Sequence, residues 1–99
     1  MEPGKSPRLV MRKDGDEVVL PLLLRETLIG RIDSNHVVLD DASVSRIHAR
    51  VLVEPEKVWV EDCGSTVGTL VNGDPIDRHQ LAEGDVLSIG EVKLVYREA

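Results

Sequence analysis

The fold is decided by the stretch Asp62-Cys63-Gly64-Ser65-Thr66-Val67-Gly68-Thr69-Leu70-Val71-Asn72-Gly73. Its first half is rich in hydroxyls and glycines, as a loop is. Its second half is a short strand that ends in Asn-Gly, a dipeptide typical of a tight β-hairpin turn. A polar loop, a short strand and a hairpin turn in so short a span are typical of an all-β domain.

Two further segments, Gly30-Arg31 and Ser45-Arg46-Ile47-His48, also place polar side chains where an apolar run ends or begins. Together the three segments supply an arginine fork, small hydroxyl groups and glycine-permissive backbone, which are the groups that bind a phosphate dianion. Because the segments are far apart in sequence, they form one site only if the fold brings the three loop tips together at one end.

Apolar residues recur with a period of two along most of the chain, and the pattern predicts no amphipathic helix. The alternation is regular over residues 47–53, where Ile47, Ala49 and Val51 are predicted to face a core and His48 to face away from it. Residues 18–24 are the longest apolar run and predict a buried strand. Short strands separated by turn signals predict an antiparallel β-sandwich of about ten to eleven strands.

The order and spacing of these motifs resemble the forkhead-associated (FHA) domain, a phosphothreonine-recognition module. The resemblance runs from about residue 27 to residue 96 and rests on Gly-Arg, Ser-x-x-His and Gly-Ser-x-x-Gly-Thr-x-Val-Asn-Gly. It implies an FHA/SMAD-like β-sandwich with its binding loops at one end. We expect a single domain over residues 7–98, preceded by a flexible tail over residues 1–6.

The resemblance implies a set of phosphate-binding residues. Arg31 matches the family's arginine that contacts the phosphate, Ser45 matches a second ligand, and Thr66 matches a third that acts through its hydroxyl or backbone N–H. Arg46 stands where the family often has asparagine, and we expect its backbone N–H or its side chain to assist.

A second set of residues is expected to support the loops rather than to touch the ligand. Gly30 allows close backbone packing, His48 braces the loop that carries the serine, and Asp62 caps the third loop together with the glycines Gly64 and Gly68. A Ser-x-x-His spacing does not by itself set a hydroxyl against an imidazole base, so we predict no catalytic residue and no enzyme.

One position departs from the family pattern. Val67 replaces an asparagine that typically bonds the peptide main chain, which removes a hydrogen bond of about 1 kcal/mol. Val67 is therefore an uncertain peptide contact. Asn72 is a second one, because it matches the family pattern but is also a residue typical of a tight turn. The leading hypothesis is a phosphothreonine-binding module. The alternative is an FHA-fold protein–protein interaction domain that has lost phosphopeptide binding and acts independently of phosphate.

Composition narrows the classes of partner. A net charge of −6 and only two aromatic residues, Trp59 and Tyr96, disfavour nucleic acid. No apolar run approaches the roughly 18 residues of a membrane span. The single cysteine, Cys63, favours a reducing cytoplasm, and no residue spacing predicts a metal site or a cofactor. We expect the protein to be a monomer. Its expected partner carries phosphothreonine and is a Ser/Thr kinase or a substrate of one.

Overall fold

The computed structural model describes residues 6–99, so nearly all of the predicted flexible tail over residues 1–6 lies outside the described residues. The described part is all β-structure with short connections. Its strands are β1 (Arg8–Lys13), β2 (Asp16–Pro21), β3 (Glu26–Gly30), β4 (Val37–Val38), β5 (Ala49–Val53), β6 (Val58–Asp62), β7 (Thr69–Val71), β8 (Asp74–Ile76), β9 (Arg78–Gln80), β10 (Val86–Ile89) and β11 (Val92–Arg97).

The strands form two sheets. The six-stranded sheet has the order β2-β1-β11-β10-β7-β8, and the five-stranded sheet has the order β4-β3-β5-β6-β9. Neighbouring strands are antiparallel except for β3 and β4, which pair in parallel over two residues. The predicted β-sandwich of about ten to eleven strands is therefore confirmed. None of the described residues belongs to a helix long and apolar enough to cross a membrane.

The core lies between the two sheets, because alternate residues of each strand point inward. Each large apolar side chain buried there contributes roughly 1.5–3 kcal/mol to stability. The completely buried side chains include Leu9, Leu87, Leu94 and Tyr96 of the six-stranded sheet and Ile29, Val51 and Val60 of the five-stranded sheet.

The predicted strand over residues 47–53 is wrong at its start. The strand begins at Ala49; Ile47 is 44% exposed, and His48 is completely buried. The inward residue is the histidine because its ring hydrogen-bonds to two loops, which outweighs the apolar alternation of the sequence. The alternation from Ala49 to Val53 is as predicted, with Ala49 and Val51 in the core.

The prediction of a buried strand over residues 18–24 is also wrong. β2 ends at Pro21 and lies at the edge of its sheet, and Leu22 is buried whereas Leu23 is 86% exposed. A run of apolar residues gives no indication of whether the strand will be central or at an edge, where one side lacks a neighbour. Strands β8 and β9 were not predicted at all, because their sequences are polar and they owe their conformation to pairing.

Strand direction brings the predicted loops to one end of the sandwich. Ile29, next to the end of β3, pairs with Ala49 at the start of β5, and Ala49 pairs with Asp62 at the end of β6. The connections that leave β3, enter β5 and leave β6 therefore emerge side by side. The sheet register thus brings together three segments that are separated by more than a dozen residues in the chain.

Candidate functional site

Ser45 and Thr66 meet across two of the loops. The backbone N–H of Thr66 donates to Ser45 Oγ at 2.9 Å, and the two hydroxyl oxygens lie 3.5 Å apart. The Thr66 N–H is therefore already used inside the protein, whereas both hydroxyl protons remain able to reach an external oxygen. Two hydroxyl groups next to each other on exposed or half-buried loops form the first part of a candidate anion site.

His48 connects the loop that carries Ser45 with the loop that carries Thr66. Its Nδ1 accepts the backbone N–H of Ser45 at 3.1 Å, so the ring proton lies on Nε2, which donates to the carbonyl of Gly68 at 2.9 Å. The ring is completely buried. Since both nitrogens are occupied, the imidazole has no free position from which to accept a hydroxyl proton, and it acts as a fixed link between loops.

Asp62 organises the third loop. Its carboxylate accepts the backbone N–H groups of Gly64 at 3.0 Å and Ser65 at 3.1 Å, and also the hydroxyls of Ser65 and Thr69. Ser65 Oγ in turn accepts the N–H of Gly68 at 3.0 Å. Burial alone would raise the pKa of Asp62, but the hydrogen bonds from Ser65, Thr69 and Gly64 outweigh it and hold that pKa below its ordinary value.

Gly68 has a backbone conformation that suits glycine, with φ of +89°, and Gly64 has φ of +76°. The conformation at Gly68 matters for the site because the carbonyl of this residue is the acceptor for His48. Asp62, Gly64, Gly68 and His48 thus lie where loop support was predicted.

Gly30 packs directly against the backbone of the second loop. A Cβ atom there would lie 2.2 Å from the carbonyl oxygen of Arg46 and 2.7 Å from Nδ2 of Asn35. Asn35 Nδ2 donates to that same Arg46 carbonyl and to the carbonyl of Ile32, both at 2.8 Å. The absence of a side chain at residue 30 therefore lets the first and second loops come into contact.

Asn35 is a supporting residue that sequence analysis missed, since it stands in a polar loop without a motif of its own. It is 6% exposed, and its amide satisfies two loop carbonyls. Its Oδ1 is buried with no hydrogen-bond partner among the described residues. The useful signal was an asparagine just before a strand, because its side chain can bond to nearby backbone groups.

Arg31 is held at one edge of its guanidinium. Nε donates to the carbonyl of Val44 at 3.0 Å, and the backbone N–H donates to the carbonyl of Ser45 at 3.0 Å. Within residues 6–99 neither terminal nitrogen makes a hydrogen bond, so both NH₂ groups are available to a ligand. The arginine is thus positioned beside the Ser45 loop while its bidentate donor edge stays exposed.

A buried network that presents a guanidinium and two hydroxyls is the arrangement implied by the sequence resemblance. A family model described as the FHA domain matches residues 27–90. The chain belongs to the FHA domain family. The predicted resemblance is therefore confirmed over most of the chain, including all three loops of the candidate site.

Relatives of this FHA domain include bacterial regulators. Glycogen accumulation regulator GarA of Mycolicibacterium smegmatis is 43% identical over 96 residues, which cover 95% of this chain and 60% of that protein. The oxoglutarate dehydrogenase inhibitor of Corynebacterium efficiens is 35% identical over 96 residues, covering 95% of this chain and 67% of that protein. The chain spans about three fifths of the length of GarA.

A solved structure from work on phosphothreonine-dependent FHA domain interactions superimposes with a TM-score of 0.87 at 33% identity. The match covers 93% of this chain and 95% of that one. The fold is thus shared with an FHA domain studied for phosphothreonine-dependent interactions.

The two uncertain peptide-contact residues of this FHA domain, Val67 and Asn72, lie in different places. Val67 is 61% exposed on the loop next to Thr66. Asn72 follows the far end of β7, and its side chain donates to Asp85 at 3.0 Å and accepts the N–H of Val86 at 2.9 Å. The structure therefore places Val67 at the candidate site, whereas Asn72 holds a turn that lies away from it.

Arg46 is exposed, and its side chain makes no hydrogen bond or ion pair within the described part of the chain. Its carbonyl, by contrast, is packed against Gly30 and bonded to Asn35. Because its backbone is anchored and its guanidinium is free, Arg46 is suited to add a positive charge beside Ser45. No group of three or more His, Cys, Asp or Glu side chains within residues 6–99 is arranged to hold a metal ion.

Proposed function

We propose that this FHA domain is a non-enzymatic module that binds a phosphothreonine-containing segment of a partner protein. One observation carries the proposal: Arg31 and the Ser45–Thr66 pair are presented together by hydrogen bonds between the loops, which include those of the buried side chains His48 and Asn35. A phosphate monoester carries a charge of about −1.5 to −2 and three acceptor oxygens, which match a bidentate guanidinium and two hydroxyl donors.

Each contact residue has a distinct role. The terminal nitrogens of Arg31 donate to two phosphate oxygens, and the Ser45 hydroxyl donates to the third. Thr66 contributes its hydroxyl, because its backbone N–H is bonded to Ser45. Arg46 adds positive charge from its exposed side chain. The arrangement holds an anion but lacks a base beside a nucleophile, since both nitrogens of His48 are engaged.

The partner is a protein phosphorylated by a Ser/Thr kinase, and docking to it is the biochemical output. Two kinds of relative support this proposal: one is named as a regulator of glycogen accumulation and another as an inhibitor of oxoglutarate dehydrogenase. Both names describe proteins that act on other processes or enzymes. For this chain we infer control of a partner by binding, in the cytoplasm.

Val67 motivates the alternative of an interaction domain that no longer binds phosphopeptide. Its side chain cannot bond to the peptide main chain, but Ile47 on the neighbouring loop is also exposed, at 44%. Two apolar side chains that flank the Ser45–Thr66 junction offer a peptide a van der Waals contact instead of an amide bond. This favours retained phosphopeptide binding with an altered preference for the neighbouring residues.

The test is an amide NMR titration with a degenerate phosphothreonine peptide pool and with the same pool unphosphorylated. We expect saturable shifts at Arg31, Ser45 and Thr66 with the phosphorylated pool alone. Arg31→Ala should weaken binding by about 1.5–3 kcal/mol, because it removes a charge-assisted bidentate contact. Arg25→Ala is the matched control, since Arg25 is also exposed but precedes β3 at the opposite end of the sandwich.

Three results would contradict the proposal. Shifts that are equal with both pools would show that the phosphate is not recognised. Affinity unchanged by Arg31→Ala would remove the arginine from the site. Shifts that reach saturation only with free inorganic phosphate would support the alternative, in which the anion pocket persists without peptide recognition.

A further inference from the structure

Four valines form a continuous row across the outer face of the six-stranded sheet. Val19 pairs with Val10, Val10 with Val95, and Val95 with Val86, on the adjacent strands β2, β1, β11 and β10. Each valine has a sequence neighbour in the core or packed against it, so strand alternation turns all four valines toward the solvent side; these neighbours are Leu9, Leu20, Leu87 and Leu94. Since neighbouring strands lie about 4.8 Å apart, the row is about 14 Å long.

Three of the four valines lie in an open depression of the sheet surface. Val10, Val19 and Val95 line an open depression of about 880 Å³. Val19 is 47% exposed, and the other three valines are half-buried. Three apolar side chains on adjacent strands therefore share one open depression.

The rim of the depression is basic although the chain as a whole is acidic. Four of its charged lining residues are basic and two are acidic, whereas the chain carries a net charge of −6. Arg8 and Arg97 pair across β1 and β11 at one side of the row, and Arg12 and Lys93 lie at the other. Within residues 6–99, neither Arg12 nor Lys93 forms an ion pair.

On the outer face of the five-stranded sheet, apolar area and charged groups are covered by other side chains of the protein. There the guanidinium of Arg78 stacks on the Trp59 ring, 3.9 Å from its centroid. Arg50 on the same face is paired with Glu26 at 2.8 Å and with Glu61 at 2.7 Å. Apolar area and charge are thus compensated inside the protein on that face. On the valine face Arg97 is paired with Glu83 at 3.0 Å and Arg8 donates to two backbone carbonyls, but Arg12 and Lys93 have no carboxylate partner within 4 Å among the described residues.

We propose that the valine row is a second binding surface, which takes a segment of a partner protein that has a short apolar run flanked by acidic residues. The apolar run fills the depression over Val10 and Val95, and the acidic residues meet Arg12 and Lys93. Charge complementarity selects this occupant. A second copy related by a two-fold axis would place the basic rims against each other, and a planar lipid surface would leave the depression empty.

This surface is distinct from the phosphate loops but lies close to them. The turn after β10 connects the two, because the N–H of Glu91 donates at 2.8 Å to Ser43 Oγ in the loop that carries Ser45. Arg12 and Lys93 lie at the same end of the sheet as this turn. The proposal does not depend on phosphate recognition, so a segment can occupy the valine row whether or not the loops are filled.

The experiment is a selection of unphosphorylated random peptides from a display library on the immobilised 99-residue chain. Lys93→Glu and Lys57→Glu are selected in parallel; both reverse an exposed lysine, and Lys57 serves as the matched control in the turn before β6 of the other sheet. Enriched peptides are expected to combine Val, Leu or Ile with flanking Asp or Glu. They should bind Lys93→Glu about fivefold or more weakly than Lys57→Glu and should shift the amides of Val10, Val19 and Val95.

Several outcomes would overturn the proposal. One is enrichment of peptides that lack acidic residues. A second is equal enrichment of the same peptides on the wild-type chain and on Lys93→Glu. Another is amide shifts that map to Arg31 and Ser45 instead of the valine row. A self-association abolished by Lys93→Glu in sedimentation equilibrium would assign the row to a second copy. Pelleting with phosphatidylglycerol vesicles that Lys93→Glu abolishes would assign it to a lipid surface.

Discussion

The loops at one end of this FHA domain contain two groups of residues that differ in burial and in bonding. The supporting residues are buried or half-buried and have their polar groups bonded within the protein: Gly30, Asn35, His48 and Asp62. The proposed contact residues are exposed or half-buried and keep donor groups available: Arg31, Ser45, Arg46 and Thr66.

This difference separates two kinds of mutational effect. A change at a supporting residue alters the positions of two loops at once, so it should reduce both folding stability and ligand binding. A change at an arginine whose terminal nitrogens are free should reduce binding with little effect on stability, as expected for Arg31→Ala. The four substitutions below test the separation, in order of decreasing effect.

His48→Ala should have the largest effect. It leaves a cavity in the core and unpairs the N–H of Ser45 and the carbonyl of Gly68, so we expect the free energy of unfolding to fall by about 3–4 kcal/mol. Urea unfolding followed by circular dichroism measures it. The control is His36→Ala, at an exposed histidine that makes a single bond to the backbone of Leu28. Equal losses of unfolding free energy for the two variants would show that the bonds from His48 to the loops contribute no more stability than the single bond of an exposed histidine.

Gly30→Ala should lower the free energy of unfolding by about 2–3 kcal/mol, because the new methyl group would overlap the Arg46 carbonyl. Phosphopeptide affinity should fall with it, as the Ser45 loop is displaced. Gly15→Ala is the control for backbone effects: its φ is +84° and no atom lies within 4 Å of the added carbon. A smaller loss at residue 30 than at residue 15 would contradict the close-packing explanation.

Asp62→Asn should cost about 1–2 kcal/mol at neutral pH, because the carboxylate accepts four hydrogen bonds that an amide oxygen cannot all replace. The pKa of Asp62 in the folded protein lies below its ordinary value of 3.8. Its contribution to stability is therefore fully present above that value and is lost as the pH falls through the folded pKa.

Unfolding of both proteins at a series of acidic pH values tests this sign. The wild-type chain should lose more stability on acidification than Asp62→Asn, so the gap between them should narrow below pH 3.8. A gap that is constant across the acidic range would show that the ionisation of Asp62 does not stabilise the loop.

Val67→Asn should have the smallest effect on stability, within about 0.5 kcal/mol, because Val67 is 61% exposed. An asparagine there restores the amide of the family pattern, and we expect phosphopeptide affinity to rise by about 1 kcal/mol. Isothermal titration with a single phosphopeptide taken from the best-binding pool measures the change. Weaker binding of Val67→Asn would show that the apolar contact of Val67 with the peptide contributes more than the restored amide bond.

Much of the fold followed from local patterns. Hairpin turns such as Asn72-Gly73 and the alternation from Ala49 to Val53 were predictable because they depend on backbone preferences and on which side of a strand is buried. The candidate contact residues were predictable because they lie in motifs that resemble a family. Asn35 was missed because its importance depends on two carbonyls, of which that of Arg46 is distant in sequence.

The sequence by itself determined an all-β domain and three loops with the chemistry of a phosphate site. Only the tertiary structure decided that His48 faces inward, that β2 lies at an edge, and that polar segments pair as β8 and β9. It also decided that four valines from different strands form one row. The physical reason is common to all of these: each depends on contacts between strands, and strand register is set by the assembled sheets and not by any one segment.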